Sequence, residues 1–160
     1  MALIKPLVII NGLVQQLSAA DTLDAAVSEV DVVSLTNNQG TAVVIGTPVY
    51  SNATGQYRSA QANASGTVQV IGLAKDVSVA NAASGLVQTD GVMVATTTQW
   101  DAITGQTGGL TAGSPYFLSA STAGRLTVTA PSTVGQFVVR VGIALSATQM
   151  DITVQPPIGL

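Results

Sequence analysis

Thirteen charged side chains are all the ionic chemistry this 160-residue chain carries: eight acids and five bases, with no histidine and no cysteine. Four acids, Asp21, Asp24, Glu29 and Asp31, crowd one stretch near the N-terminus, and the other four, Asp76, Asp90, Asp101 and Asp151, stand singly beside turns. Without His or Cys the commonest general base, the thiol nucleophile and the soft metal ligands are missing. Paired carboxylates could still divide acid and base roles, and Asp76, Asp90 or Asp101 with backbone carbonyls could hold calcium. No DxDxDG-type spacing supports the second idea, and Asp90 before Gly91 is ordinary turn chemistry. The sequence reads as a non-enzyme, with no catalytic, cofactor-binding or metal-ligating residues.

The remaining motifs have structural readings. Trp100, Tyr50, Tyr57, Tyr116 and Phe117 could form a sugar-stacking platform, but the few aromatics of a β domain more often anchor its core or a subunit contact. Asn52-Ala53-Thr54 and Asn63-Ala64-Ser65 match the glycosylation acceptor pattern and are read as turns. A lysine amide crosslink through Lys5 or Lys75 finds no favouring spacing. The five bases, Lys5, Arg58, Lys75, Arg125 and Arg140, make no stripe that could neutralise phosphates, so nucleic acid is not an expected partner.

Composition says more about how the chain lives. Only 8% of residues are charged and the mean hydropathy is +0.48, yet no apolar run approaches the ~18 residues needed to cross a bilayer. The opening MALIKPLVIINGLVQQL, with its short patch Leu7 to Ile10 between Pro6 and Asn11-Gly12, is too interrupted for a secretory signal. Neither a membrane nor a disulfide framework is expected. A chain so poor in charge must cover much of its surface against copies of itself or a large partner, since isolated monomers use mixed charges to stay dispersed.

The elements that position these residues come largely from a duplication. Gly46-Thr47-Pro48-Val49-Tyr50 answers Gly113-Ser114-Pro115-Tyr116-Phe117, Gly55-Gln56-Tyr57 answers Gly124-Arg125-Leu126, and Val70 to Ala74 answers Val141 to Ala144. The offset drifts from 67 (Pro48 to Pro115) to 70 (Gly72 to Gly142), as changes of turn length would cause. Each copy, 46–76 and 113–146, reads as a proline-led strand, a polar turn closed by Gly, a second strand and a third strand broken by one Gly. Gly72 and Gly142, flanked by Val, Ile and Leu, predict a bulge or a close backbone approach.

In chain order, Asn11-Gly12 between apolar runs predicts a hairpin, Ser18 to Ala26 a connector, Val27 to Leu35 a loosely alternating strand, and Thr41 to Ile45 another. Asp90-Gly91 between Gly85–Thr89 and Val92–Ala95 predicts a second hairpin. Thr96 to Ile103 predicts at most one helical turn, capped by Thr98 and carrying Trp100 and Ile103. Met150 to Val154 reads as the last strand, with Pro156-Pro157 ending the sheet before an apolar tail. The expected fold is all-β, a sandwich or barrel of two related β units over 37–160 with an N-terminal arm or hairpin over 1–36.

Several phrases also resemble virion structural proteins of tailed bacteriophages: KPLVIINGLVQQLSAADTLD, GTPVYSNATGQYRSA, VIGLAKD, GLVQTDGVM, GLTAGSPYFLSASTAGRLTVTAP and VGIALSATQMDI. Capsid decoration proteins of the cement or head-fibre type are the nearest likeness, with related modules in tail-fibre and baseplate proteins. The resemblance implies a structural subunit that stabilises a capsid, a homo-oligomer (a trimer) bound to the major capsid protein on the virion surface and made in the host cytoplasm. It implies no cofactor. The alternative is a tail-fibre or baseplate module binding a host receptor or glycan.

Overall fold

The computed structural model describes residues 32–52 and 54–160, together with the backbone pairing of two earlier strands, β1 (Leu7–Ile10) and β2 (Leu13–Gln16). These two run antiparallel, with Ile10 opposite Leu13. The expected Asn11-Gly12 turn, the connector after it, the four N-terminal acids and Lys5 lie outside the described residues.

The chain then forms β3 (Val32–Thr36), β4 (Val43–Val44), β5 (Pro48–Ser51), β6 (Tyr57–Ser59), β7 (Val70–Ala74), β8 (Ser78–Val79) and β9 (Ser84–Gln88). A second series follows: β10 (Gly91–Val94), helix α1 (Thr97–Thr104), β11 (Pro115–Leu118), β12 (Leu126–Thr127), β13 (Phe137–Val138), β14 (Arg140–Ala144), β15 (Gln149–Ile152) and β16 (Ile158–Gly159). The fold is all-β, in antiparallel sheets with one short helix among the described residues.

Two five-stranded sheets carry the architecture, in the orders β3-β9-β7-β5-β6 and β10-β15-β14-β11-β12. Replacing each strand of the first by its counterpart gives the second, so the two units are related in topology as well as in sequence. The match extends to single hydrogen bonds. Gly46 N donates to Ala74 O at 2.8 Å and Gly113 N to Ala144 O at 2.7 Å; Lys75 N reaches Leu86 O at 2.8 Å and Leu145 N reaches Gln149 O at 2.9 Å.

Each unit also breaks register at the same place, between Val49 and Tyr50 and between Tyr116 and Phe117. Opposite those breaks lie Gly72 and Gly142. A Cβ on Gly72 would stand 2.2 Å from Gln88 O, and one on Gly142 2.3 Å from Asp151 O. Only a residue without a side chain lets the third strand approach so near.

Alternation assigns the faces. In the first sheet Val49, Tyr57, Ala74 and Val87 point one way and close a small core with Val43, carried by the β4–β8 ribbon. Leu73, Tyr50 and Val70 point the other way, into a larger core shared with the second unit. There they join Met93, Tyr116, Leu118, Leu126, Ala144, Met150 and Ile152, which form the inner face of the second sheet. Backbone bonds tie the units together: Ala62 N to Ser119 O, Phe137 N to Ala62 O and Gly124 N to Ala60 O, at 2.8 to 3.0 Å.

Several local expectations need correction. Asp90-Gly91 is no hairpin turn: β9 and β10 lie in different sheets, and the link between them is the crossover from one unit to the other. The helix has two turns, not one. Thr96 rather than Thr98 caps it, through a reciprocal box with Gln99, and Gly105 ends it in the left-handed region. Trp100 and Ile103 are buried on its inner side, and Trp100 Nε1 donates to Thr148 O. The apolar tail Ile158 to Leu160 is tied into the fold, because β16 pairs with β13 and Leu160 N donates to Gln136 O. Val32–Thr36, placed by sequence in the arm, pairs along its whole length with β9 and belongs to the first sheet. Of the strand expected over Thr41 to Ile45 only Val43–Val44 is extended.

Candidate interaction surface

The charged residues that chemistry would need are mostly committed to the backbone. Asp76 Oδ2 accepts from Leu86 N at 2.8 Å, Asp90 Oδ1 from Gly91 N at 2.6 Å, and Asp101 from both Gly108 N and Gly109 N. These three acids cap turns and do not converge. Among the described residues no group of three acids could hold a metal ion. Arg125 donates through Nη1 to Ala102 O on α1. Asn52 Oδ1 accepts from Thr54 N, Thr54 Oγ1 and Gln56 N, which makes it the organiser of the β5–β6 turn. Lys75 pairs with no carboxylate among the described residues, and Asp76 beside it is held by the Leu86 amide.

The aromatics do not form a platform. Trp100, Tyr57 and Tyr116 are buried, and Tyr50 packs against the shared core. Tyr116 Oη donates to Gln106 and accepts from Thr111 N, which fixes the loop that follows α1. Burial pushes the Tyr57 phenol above its ordinary value, and the nearby Asp76 charge adds to the rise.

What remains is surface. Among the described residues eleven large apolar side chains are exposed, Val134 at 88%, Ile158 at 64% and Val94 at 61% among them. Sequence reasoning did not single these out, because a strand read alone does not say which of its two faces will be covered. Three of them, Val92, Val94 and Leu145, belong to or border the outer face of the second sheet.

Strand register assembles that face. Val92 lies opposite Asp151 and Val94 opposite Gln149; Asp151 in turn faces Ile143, Ile143 faces Pro115, and Phe117 faces Arg140 and Thr127. Val92, Val94, Pro115 and Gln149 are exposed, and Phe117, Ile143, Asp151 and Arg140 are half-buried. At one end the face runs into a groove of about 500 Å³ lined by Asp90, Arg140, Thr153 and Gln155 among others. Arg140 Nε is buried there without a hydrogen-bond acceptor.

No protein-family model matches the chain, and no curated protein matches it. Among the described residues, no helix is long and apolar enough to cross a membrane.

Proposed function

We propose that the chain is a structural virion subunit that decorates and stabilises a bacteriophage capsid as a homo-oligomer bound to the outer shell through the major capsid protein. One observation carries this reading: the described residues keep eleven large apolar side chains at the surface while only 8% of the chain is charged. A free monomer with such a surface tends to associate, whereas a subunit seated between neighbours buries it at about 25 cal/mol per Å² gross. The likeness of its strand-and-turn phrases to phage decoration proteins supplies the partner class. The N-terminal arm is the docking element in this reading.

The test is occupancy. Particles carrying the protein should hold it at copy numbers comparable to the shell subunit, and particles stripped of it should rupture at lower temperature. Deletion of residues 1–20 should abolish occupancy while leaving the β domain folded. Occupancy of a few copies per particle, or unchanged rupture after removal, would overturn the reading.

A further inference from the structure

The geometry points to a twofold contact between two copies of this chain through the outer face of the second sheet, an inference that rests on the homo-oligomeric part of the proposed function. The duplication provides the comparison. In the first unit the corresponding face, with Pro48, Tyr50 and Leu73, is covered by the second unit, and Pro48 and Leu73 are buried. In the second unit the corresponding residues are Pro115, Phe117 and Ile143: equally apolar, but with Pro115 exposed and Ile143 only half-buried. A face built to the same pattern is thus more deeply buried in one unit than in the other.

Charge selects the occupant. Asp151 and Arg140 sit on this face on neighbouring strands, and neither pairs with an opposite charge among the described residues. They lie one strand and about two to three residues apart, on the order of 10 Å. Packing two copies face to face about a twofold axis between those two positions sets Arg140 of each copy over the other copy's Asp151. The same operation sets Ile143 near its own counterpart and Phe117 near the other copy's Ile143, with Val92 and Val94 at the rim of the contact. Such an isologous contact is self-complementary: one base and one acid per face cancel, and the half-buried Arg140 guanidinium gains a carboxylate partner. The five short strands cover only about 300 Å² at the usual strand spacing and rise, below the roughly 800 Å² per partner of a stable dimer. Self-association through this face alone is therefore weak and concentration-dependent, and a threefold ring would need a second surface.

The test is a charge reversal on the full chain, read by sedimentation equilibrium. Arg140→Asp alone and Asp151→Arg alone should each weaken self-association at least tenfold, because like charges then face each other. The double variant Arg140→Asp with Asp151→Arg should recover wild-type association to within about threefold. Ile143→Lys should weaken it by placing a charge in the apolar part of the contact. Far-UV circular dichroism and melting temperature, measured on each variant, confirm that any loss of association comes from a folded chain. If the wild type associates but the single reversals leave it unchanged, or the double variant fails to recover, this contact is wrong and the assembly reading stands. A wild type that is monomeric at every concentration, on and off particles, overturns both.

Discussion

Replacing Gly142 by alanine should lower the melting temperature by about 10 °C, and the structure says why. The added Cβ would meet Asp151 O at 2.3 Å and Met150 Cγ at 3.0 Å. A carbon and a carbonyl oxygen normally stay about 3.3 Å apart, so β14 and β15 must separate by about 1 Å at the centre of the second sheet. Overfilling of this kind costs about 1–3 kcal/mol, and a stretched ladder gives up one or two hydrogen bonds at about 1 kcal/mol each. The sum, about 3 kcal/mol, corresponds to about 10 °C at the 3–4 °C per kcal/mol suited to a chain of this size. Gly72→Ala, its counterpart in the first unit, meets Gln88 O at 2.2 Å and should behave alike. Gly66→Ala is the control: nothing lies within 4 Å of its added Cβ, and the stiffer unfolded chain should leave stability unchanged or slightly raised. Calorimetry on the three variants decides the matter. If Gly142→Ala and Gly72→Ala both melt within about 2 °C of the wild type, the close-approach argument is wrong.

Two further outcomes follow from named contacts. Thr96→Ala removes the cap that accepts from Gln99 N at 3.2 Å; it should cost about 1 kcal/mol, visible as a melting temperature lowered by a few degrees, and an unchanged value would deny the box its role. Tyr57 has a raised folded pKa, so its contribution is fully present below the ordinary value of 10.0 and is lost as pH rises through the folded value. Tyr57→Phe should therefore lose less stability than the wild type in urea titrations between about pH 9 and about pH 11; equal losses would show that burial of this phenol does not govern alkaline unfolding.

Much of the fold was legible because duplication repeats its own punctuation. Pro48 and Pro115 lack the donor a central ladder position needs and so begin strands; Gly55 and Gly124 close turns with φ of 73° and 71°. Gly72 and Gly142 announced close approach because a lone Gly among β-branched neighbours has few other uses. The misreadings have a common origin. Asp90-Gly91 has the local chemistry of a hairpin, yet whether its flanking strands pair depends on partners far away in the chain: β9 finds β7 and β3, and β10 finds β15. The helix gained its second turn from Trp100 and Ile103, whose burial against the first unit at Gly46 outweighs a Thr-rich sequence of modest helix propensity. Ile158–Gly159 became a strand because Phe137 and Val138 offered an edge.

Local chemistry determined by itself that this chain is β-rich, doubled and nearly devoid of charge, because turn residues and strand alternation act over a few positions and need no distant partner. Only the tertiary structure decided which face of each unit is covered. Pro48 and Pro115 occupy equivalent positions in equivalent strands, as do Leu73 and Ile143, yet Pro48 and Leu73 are buried while Pro115 is exposed and Ile143 half-buried. That difference arises from where the second unit stands against the first, a relation between segments some 67 residues apart, as Pro48 is from Pro115.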